Sequence, residues 1–137
     1  MPSLKVKLFP GWRESNHPGA LVTYVRDASQ HSGALQFSLA HHKPGALPIS
    51  TEGMLVELCK KLSSKVNDGK IVSSKSGKCG FGLFGTVTVR GTSPVHFQAW
   101  VLSNQRDFIL ITHTCMEEPD PKELQEAEQI ALLTGCG

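Results

Sequence analysis

Between Val95 and Cys115 two apolar runs flank the polar cluster Ser103-Asn104-Gln105-Arg106-Asp107. Turn-forming residues between two strand-like runs predict a β-hairpin. Its second arm holds Phe108-Ile109-Leu110-Ile111, the most apolar run of the chain. Pairing Ser103 with Phe108 sets His96 opposite Cys115 and Gln98 opposite His113, on the face that also carries Trp100, Leu102, Ile109 and Ile111. The other face carries Phe97, Val101, Phe108 and Leu110. With both faces apolar, this strand pair is expected to be covered on both sides and central in its sheet.

The same alternation marks the N-terminal part. Leu4 to Leu8 has period two and reads as a half-buried strand, ended by Phe9-Pro10-Gly11-Trp12, where Trp12 is expected to fold back onto a sheet edge. Arg13 to Gly19 is a polar loop in this reading, Ala20 to Arg26 a second strand and Ala34 to His41 a third. His42 to Ile49 is a Pro/Gly connection, after which the period changes. Leu55, Leu58, Cys59, Leu62 and Val66 form one helical stripe, so a helix is predicted over about 51–66, with Ser50 or Thr51 as its cap and Asn67-Asp68-Gly69 as its end. Lys70 to Ser74 reads as a short extended piece, Lys75 to Gly80 as a turn, and Phe81 to Arg90 as a strand with Phe81, Leu83, Gly85, Val87 and Val89 on one side. After the hairpin, Asp120-Pro121-Lys122-Glu123 has the form of an N-cap, a proline at the first helical position and a capping box. It opens a helix over about 121–133 with Leu124, Ala127, Ile130 and Ala131 inward. The order β-β-β-α-β-β-β-β-α predicts an α+β fold: an antiparallel sheet of six or seven strands with both helices packed on it.

Length and composition narrow the function classes. The 137 residues fit one domain spanning 1–137, and 39% apolar with 19% charged residues is a globular balance. A net charge of +2 with scattered Lys and Arg lacks the basic stripe of a nucleic-acid binder. Cys59, Cys79, Cys115 and Cys136 contain no CxxC pair, and no basic-plus-apolar leader or membrane-length apolar run is apparent. The expectation is a cytoplasmic protein with free thiols, although an even cysteine count formally allows disulfides.

Three motifs bear on chemistry. Gly80-Phe81-Gly82-Leu83-Phe84-Gly85-Thr86-Val87 matches the G-x-G-x-x-G-x-V pattern, but a dinucleotide loop must open a helix, and here the β-type run Thr86-Val87-Thr88-Val89 follows. The kinase form needs V-A-I-K, H-R-D and D-F-G, which are absent. The glycines are therefore read as places where a strand bends or packs closely on a helix. Second, the hairpin register gathers His96, His113 and Cys115, a set suited to zinc, with His41, His42, Cys79 or Cys136 as potential fourth ligands. The same residues could make a Cys/His nucleophile pair. The plainer reading makes Cys115 a small buried filler and the histidines the solvent-side end of the strands. Third, Glu117, Glu118 and Asp120 cluster before a helix start, where acidic residues are favoured in any case.

The element order, with the early Phe9-Pro10-Gly11-Trp12 turn and a hairpin strand Phe108 to Thr114 feeding the helix Asp120 to Leu133, resembles the PsbP-like α/β/α sandwich group, which includes the DcrB-like bacterial domains. The resemblance spans nearly the whole chain. It implies a non-catalytic domain that binds other proteins, and it carries no catalytic residues to transfer. Together with the lack of a catalytic set, this leads to a non-enzymatic protein-binding or adaptor domain without a cofactor, in an immunity- or chaperone-like role. Trp12, Arg13, His42 and Arg106, all beside turns, are its candidate partner-binding residues. The alternative is a metal or small-ligand site, or a Cys/His enzyme, at the end of the 95–115 hairpin.

Overall fold

The computed structural model describes residues 4–15, 22–27, 33–41, 50–64, 66 and 68–136, with the side chains of His41 and Cys136 outside the description. The strands are Leu4–Lys5 (β1), Trp12–Ser15 (β2), Val22–Arg26 (β3), Ala34–His41 (β4), Lys70–Lys78 (β5), Leu83–Arg90 (β6), His96–Ser103 (β7), Asp107–Cys115 (β8) and Gly135–Cys136 (β9). The helices are Glu52–Ser63 (α1) and Pro121–Leu133 (α2). An antiparallel seven-stranded sheet runs β2-β3-β4-β8-β7-β6-β5, and β1 pairs with β9 in a separate two-stranded ribbon.

The β7–β8 hairpin lies inside this sheet, flanked by β6 and β4. Its register joins Ser103 to Phe108, Trp100 to Ile111 and His96 to Cys115, as the turn chemistry implied. Because side chains alternate across a strand, the hairpin feeds two cores. One face sends Trp100, Leu102, Ile109 and Ile111 into a cluster with Leu35, Phe37, Trp12 and the α2 residues Ala127, Ile130 and Ala131. The other sends Ala99 and Val101 into a cluster with Val87, Val89 and the α1 residues Leu55 and Cys59. The two helices thus cover opposite faces, an α/β/α sandwich with the hairpin in its middle layer. No helix among the described residues is long and apolar enough to cross a membrane.

The helix starts follow local chemistry. The Thr51 hydroxyl accepts from Met54 N–H at 3.3 Å, so α1 starts at Glu52 and runs through Gly53. It ends at Ser63, before the expected stop at 67–69, where the Ser63 hydroxyl donates to the Cys59 carbonyl at 2.7 Å. At α2 the Asp120 carboxylate accepts from Lys122 N–H at 2.9 Å, with Pro121 at the start. The expected capping box does not form, because Glu123 is fully buried and turned toward the sheet. Helical spacing places Glu123 above Ala127 and Ile130, so it lies on the inward stripe.

Three segments differ from the sequence reading. Trp12 does fold back onto the sheet edge, but Arg13–Ser15 continue it as the edge strand β2, paired with β3, where the polar loop 13–19 was expected to begin. The alternation at Leu4–Leu8 yields only the short β1, paired with Gly135–Cys136 outside the main sheet. Lys70–Lys78 is one full edge strand with a bulge between Ile71 and Ser73, replacing the expected turn at Lys75–Gly80. Most side chains of β2 and β5 are not buried, so neither strand carries the apolar alternation by which a sequence pattern marks a strand.

The glycine motif is structural. A side chain at Gly85 would stand 2.6 Å from the Val56 nitrogen and 2.7 Å from the Leu55 carbonyl carbon, while the Gly85 carbonyl accepts from Cys59 Sγ at 3.2 Å. Gly82 turns the chain at φ +156°, and the Ser103 carbonyl fills the space where its side chain would be. The strand β6 follows, so no helix start is offered to a phosphate. Gly85→Ala is expected to lift α1 from β6 and destabilise the fold by about 1–3 kcal/mol in chemical denaturation. A stability unchanged from wild type would contradict this close contact.

Candidate functional site

The inner end of the hairpin carries a buried polar cluster. His113 and Cys115 lie two residues apart on β8 and point to the same face. The first turn of α2 brings Glu123 against them. His113 Nε2 is 2.8 Å from Glu123 Oε2 and 3.5 Å from Cys115 Sγ, and Cys115 Sγ is 3.9 Å from the same carboxylate oxygen. The Gly33 N–H donates to Glu123 Oε2 at 2.9 Å. A side chain at Gly33 would collide with Cys115 Sγ and reach within 3.0 Å of His113 Nε2, so only glycine fits there. His96, on β7 opposite Cys115, sets its ring edge-on to His113 with centroids 5.5 Å apart.

All of these side chains are buried, with His113 and Glu123 at 0% exposure, Cys115 at 1% and His96 at 3%. The expectation that the histidines finish their strands near solvent is thereby corrected: α2 lies over this end of the hairpin. Burial, followed by the adjacent Glu123, pushes the Cys115 thiol up to about 12. Burial, then His113 and Arg90, lowers His96 to about 4. His113 Nδ1 and His96 Nε2 have no hydrogen-bond partner among the described residues.

This arrangement is poor for cysteine catalysis. A Cys-His-acid relay needs the acid and the thiol at different ring nitrogens. Here both meet Nε2, and the thiol is buried, at 1% exposure. What the cluster can do is tie α2 to the sheet, and further glutamates of α2 do the same. Glu126 Oε1 accepts from Trp12 Nε1 at 2.9 Å and from Arg26 Nε at 3.0 Å, and Glu128 Oε2 accepts from Trp100 Nε1 and Gln98 Nε2 at 2.9 Å each.

The other residues singled out in the sequence are dispersed. Trp12 is 7% exposed and belongs to the core under α2. Arg13 is exposed on β2 and pairs with Asp27 at 2.6 Å. Arg106 is exposed at the hairpin tip, where its backbone N–H donates to Asn104 Oδ1 at 2.9 Å. His42 lies outside the described residues. Among the acidic trio, Glu118 pairs with Arg90, and Asp120 caps α2 while meeting Arg26 at 3.5 Å. Cys59, Cys79 and Cys115 are free thiols.

Two surfaces stand out. An apolar cavity of about 770 Å³ lies beside α1, lined by Met54, Leu58 and Lys61 together with Ala40, Phe108 and Leu110 of β4 and β8. The segment 42–49 that joins β4 to α1 is outside the described residues. The second surface is β5, nine residues at the end of the sheet and exposed almost throughout. It bears Ile71 and Val72 at 51% and 58% exposure beside its bulge, and Lys70, Lys75 and Lys78 with no acidic residue.

No protein-family model and no curated protein sequence matches the chain. Solved structures do. The crystal structure of LpqN, involved in cell envelope biogenesis of Mycobacterium tuberculosis, aligns with a TM-score of 0.68 at 9% identity, over 99% of this chain and 84% of that one. The solution structure of cyanobacterial PsbP (CyanoP) from Synechocystis sp. PCC 6803 aligns with a TM-score of 0.61 at 12% identity, over 98% and 93%. The chain has a PsbP-like fold. At these identities the likeness concerns architecture alone. In the PsbP-like sandwich described above, both the buried cluster and the exposed β5 edge are features of this chain's own residues.

Proposed function

We propose that this chain is a non-enzymatic protein-binding domain of adaptor type, in an immunity- or chaperone-like role, and that β5 is where it binds. The observation that carries the reading is the β5 edge itself. An exposed edge strand offers a row of unpaired backbone groups to an incoming strand, and proteins usually keep such edges short or covered. This one is nine residues long and carries two adjacent exposed apolar side chains. Its charge selects the partner. Antiparallel pairing of two β5 strands about Ser74 would set Lys70 against Lys78 of the other copy, and like charges directly opposite are unfavourable. An extended, acidic segment of another protein meets both the lysines and the Ile71–Val72 pair favourably. The buried Cys115 Sγ and the Glu123 carboxylate meet the same His113 nitrogen, which supports the non-enzymatic half of the reading.

The test is retention of a stoichiometric protein from lysate of the source cells on immobilised wild type and variants. Ile71→Lys/Val72→Lys and Lys70→Glu/Lys78→Glu change exposed side chains and are expected to keep wild-type stability within roughly 0.5 kcal/mol. Both are expected to weaken retention of that protein by roughly tenfold or more, about 1.4 kcal/mol, while Arg106→Ala retains it. Equal retention by all variants would overturn β5 as the binding edge.

A further inference from the structure

We infer that His113, Cys115 and Glu123, with His96 as fourth ligand, form a closed structural site for a divalent metal ion of zinc type, which fastens α2 to the central hairpin. Nothing in the binding reading requires it; the cluster's own geometry carries it. The three ligand atoms of His113, Cys115 and Glu123 lie within 4.8 Å of one another. Their separations are 2.8, 3.5 and 3.9 Å. A tetrahedral zinc ion with sulfur at about 2.3 Å and nitrogen or oxygen at about 2.0 Å sets its ligand atoms roughly 3.3–3.6 Å apart. The observed triangle brackets that spacing, so shifts of about half an ångström complete it.

Ligand type and charge point the same way. Thiolate, imidazole and carboxylate together suit zinc. A thiolate and a carboxylate balance a divalent cation, and two neutral imidazoles add no charge, so the filled site is neutral. A neutral site avoids the cost of burying uncompensated charge. A bound divalent cation favours the thiolate form of a ligating cysteine.

His96 supplies the independent observation. It is 3% exposed, its Nε2 has no hydrogen-bond partner among the described residues, and its ring already contacts that of His113. The strand register sets His96 directly opposite Cys115, on the face that carries His113. Outside the ligands, the Gly33 N–H fixes the Glu123 carboxylate, as second-shell donors do in metal sites. Because Gly33 has no side chain, Cys115 Sγ and His113 Nε2 pack directly against its backbone.

The experiment uses the full chain, purified without a histidine tag, with zinc measured per chain and cobalt(II) as the spectroscopic probe. About one zinc per chain is expected. Cobalt(II) is expected to give an intense tetrahedral spectrum with a sulfur-to-cobalt charge-transfer band, and a strong chelator to lower the wild-type melting temperature. The charge-transfer band should persist in Cys79→Ser and vanish in Cys115→Ser. His96→Ala is expected to weaken cobalt binding by roughly tenfold or more. If Cys115→Ser does not fold, the wild-type and Cys79→Ser spectra still decide. Zinc-free protein with a weak octahedral cobalt spectrum and unchanged melting in chelator would overturn the site. Wild-type affinity in His96→Ala would overturn His96 as the fourth ligand.

Discussion

Glu123→Ala is expected to destabilise the protein by roughly 2–6 kcal/mol, at about 1–3 kcal/mol for each of the two buried groups it leaves unpaired. The carboxylate is fully buried and faces His113 Nε2 at 2.8 Å, and it receives the Gly33 N–H at 2.9 Å. Truncation strands a ring nitrogen and a backbone donor under α2. Urea denaturation measures the loss. Glu123→Gln keeps the size and a hydrogen-bonding group, and should cost less. A His113→Leu/Glu123→Leu double variant removes both polar partners and should be more stable than Glu123→Ala, since paired burial is offset chiefly by the pair itself. A cost below about 1 kcal/mol for Glu123→Ala would mean that the carboxylate is not held as described.

Trp100→Ala should be comparably severe, at roughly 3–5 kcal/mol for removing a buried tryptophan. Trp100 has no exposed surface and stands opposite Ile111 in the middle of the hairpin. It packs in the cluster that holds α2, and its indole N–H reaches Glu128 of that helix at 2.9 Å. Truncation therefore opens a cavity and releases a link between sheet and helix together. Trp100→Phe keeps most of the ring but loses the donor, so it should cost less. Equal losses for the two variants, followed by denaturant titration, would place the stabilisation in the hydrogen bond instead of in packing.

The centre of the fold is legible in the sequence, and its margins are not. Buried strands must present apolar side chains at fixed alternation, so Ala34–His41 and the Ser103–Phe108 register follow from the residues alone. The stripe of α1 is equally plain. At the edges that constraint disappears. Trp12–Ser15 and Lys70–Lys78 are strands because a neighbour offers backbone pairing, and their side chains are free to be Arg, Glu, Ser or Lys. The candidate site divides in the same way. His96, His113 and Cys115 share a face by period two, which the sequence determines once the turn is placed. Glu123 arrives from a helix, and its place in the D-P-K-E helix start favours a capping role by local rules. The overlooked signal was its helical spacing to Ala127 and Ile130, which puts it on the buried stripe. Gly33 carries no sequence signal of its own, and only the packing of β4 against β8 shows why a side chain is excluded.

Amide hydrogen exchange of the chain, alone and with the protein retained in the lysate experiment, tests the binding account most directly. Slowed exchange along Lys70–Lys78 is expected in the complex, with the central hairpin as protected as in the free chain. Slowing confined to Met54–Lys61 and Phe108–Leu110, with β5 unchanged, would contradict it and move the binding site to the apolar cavity beside α1.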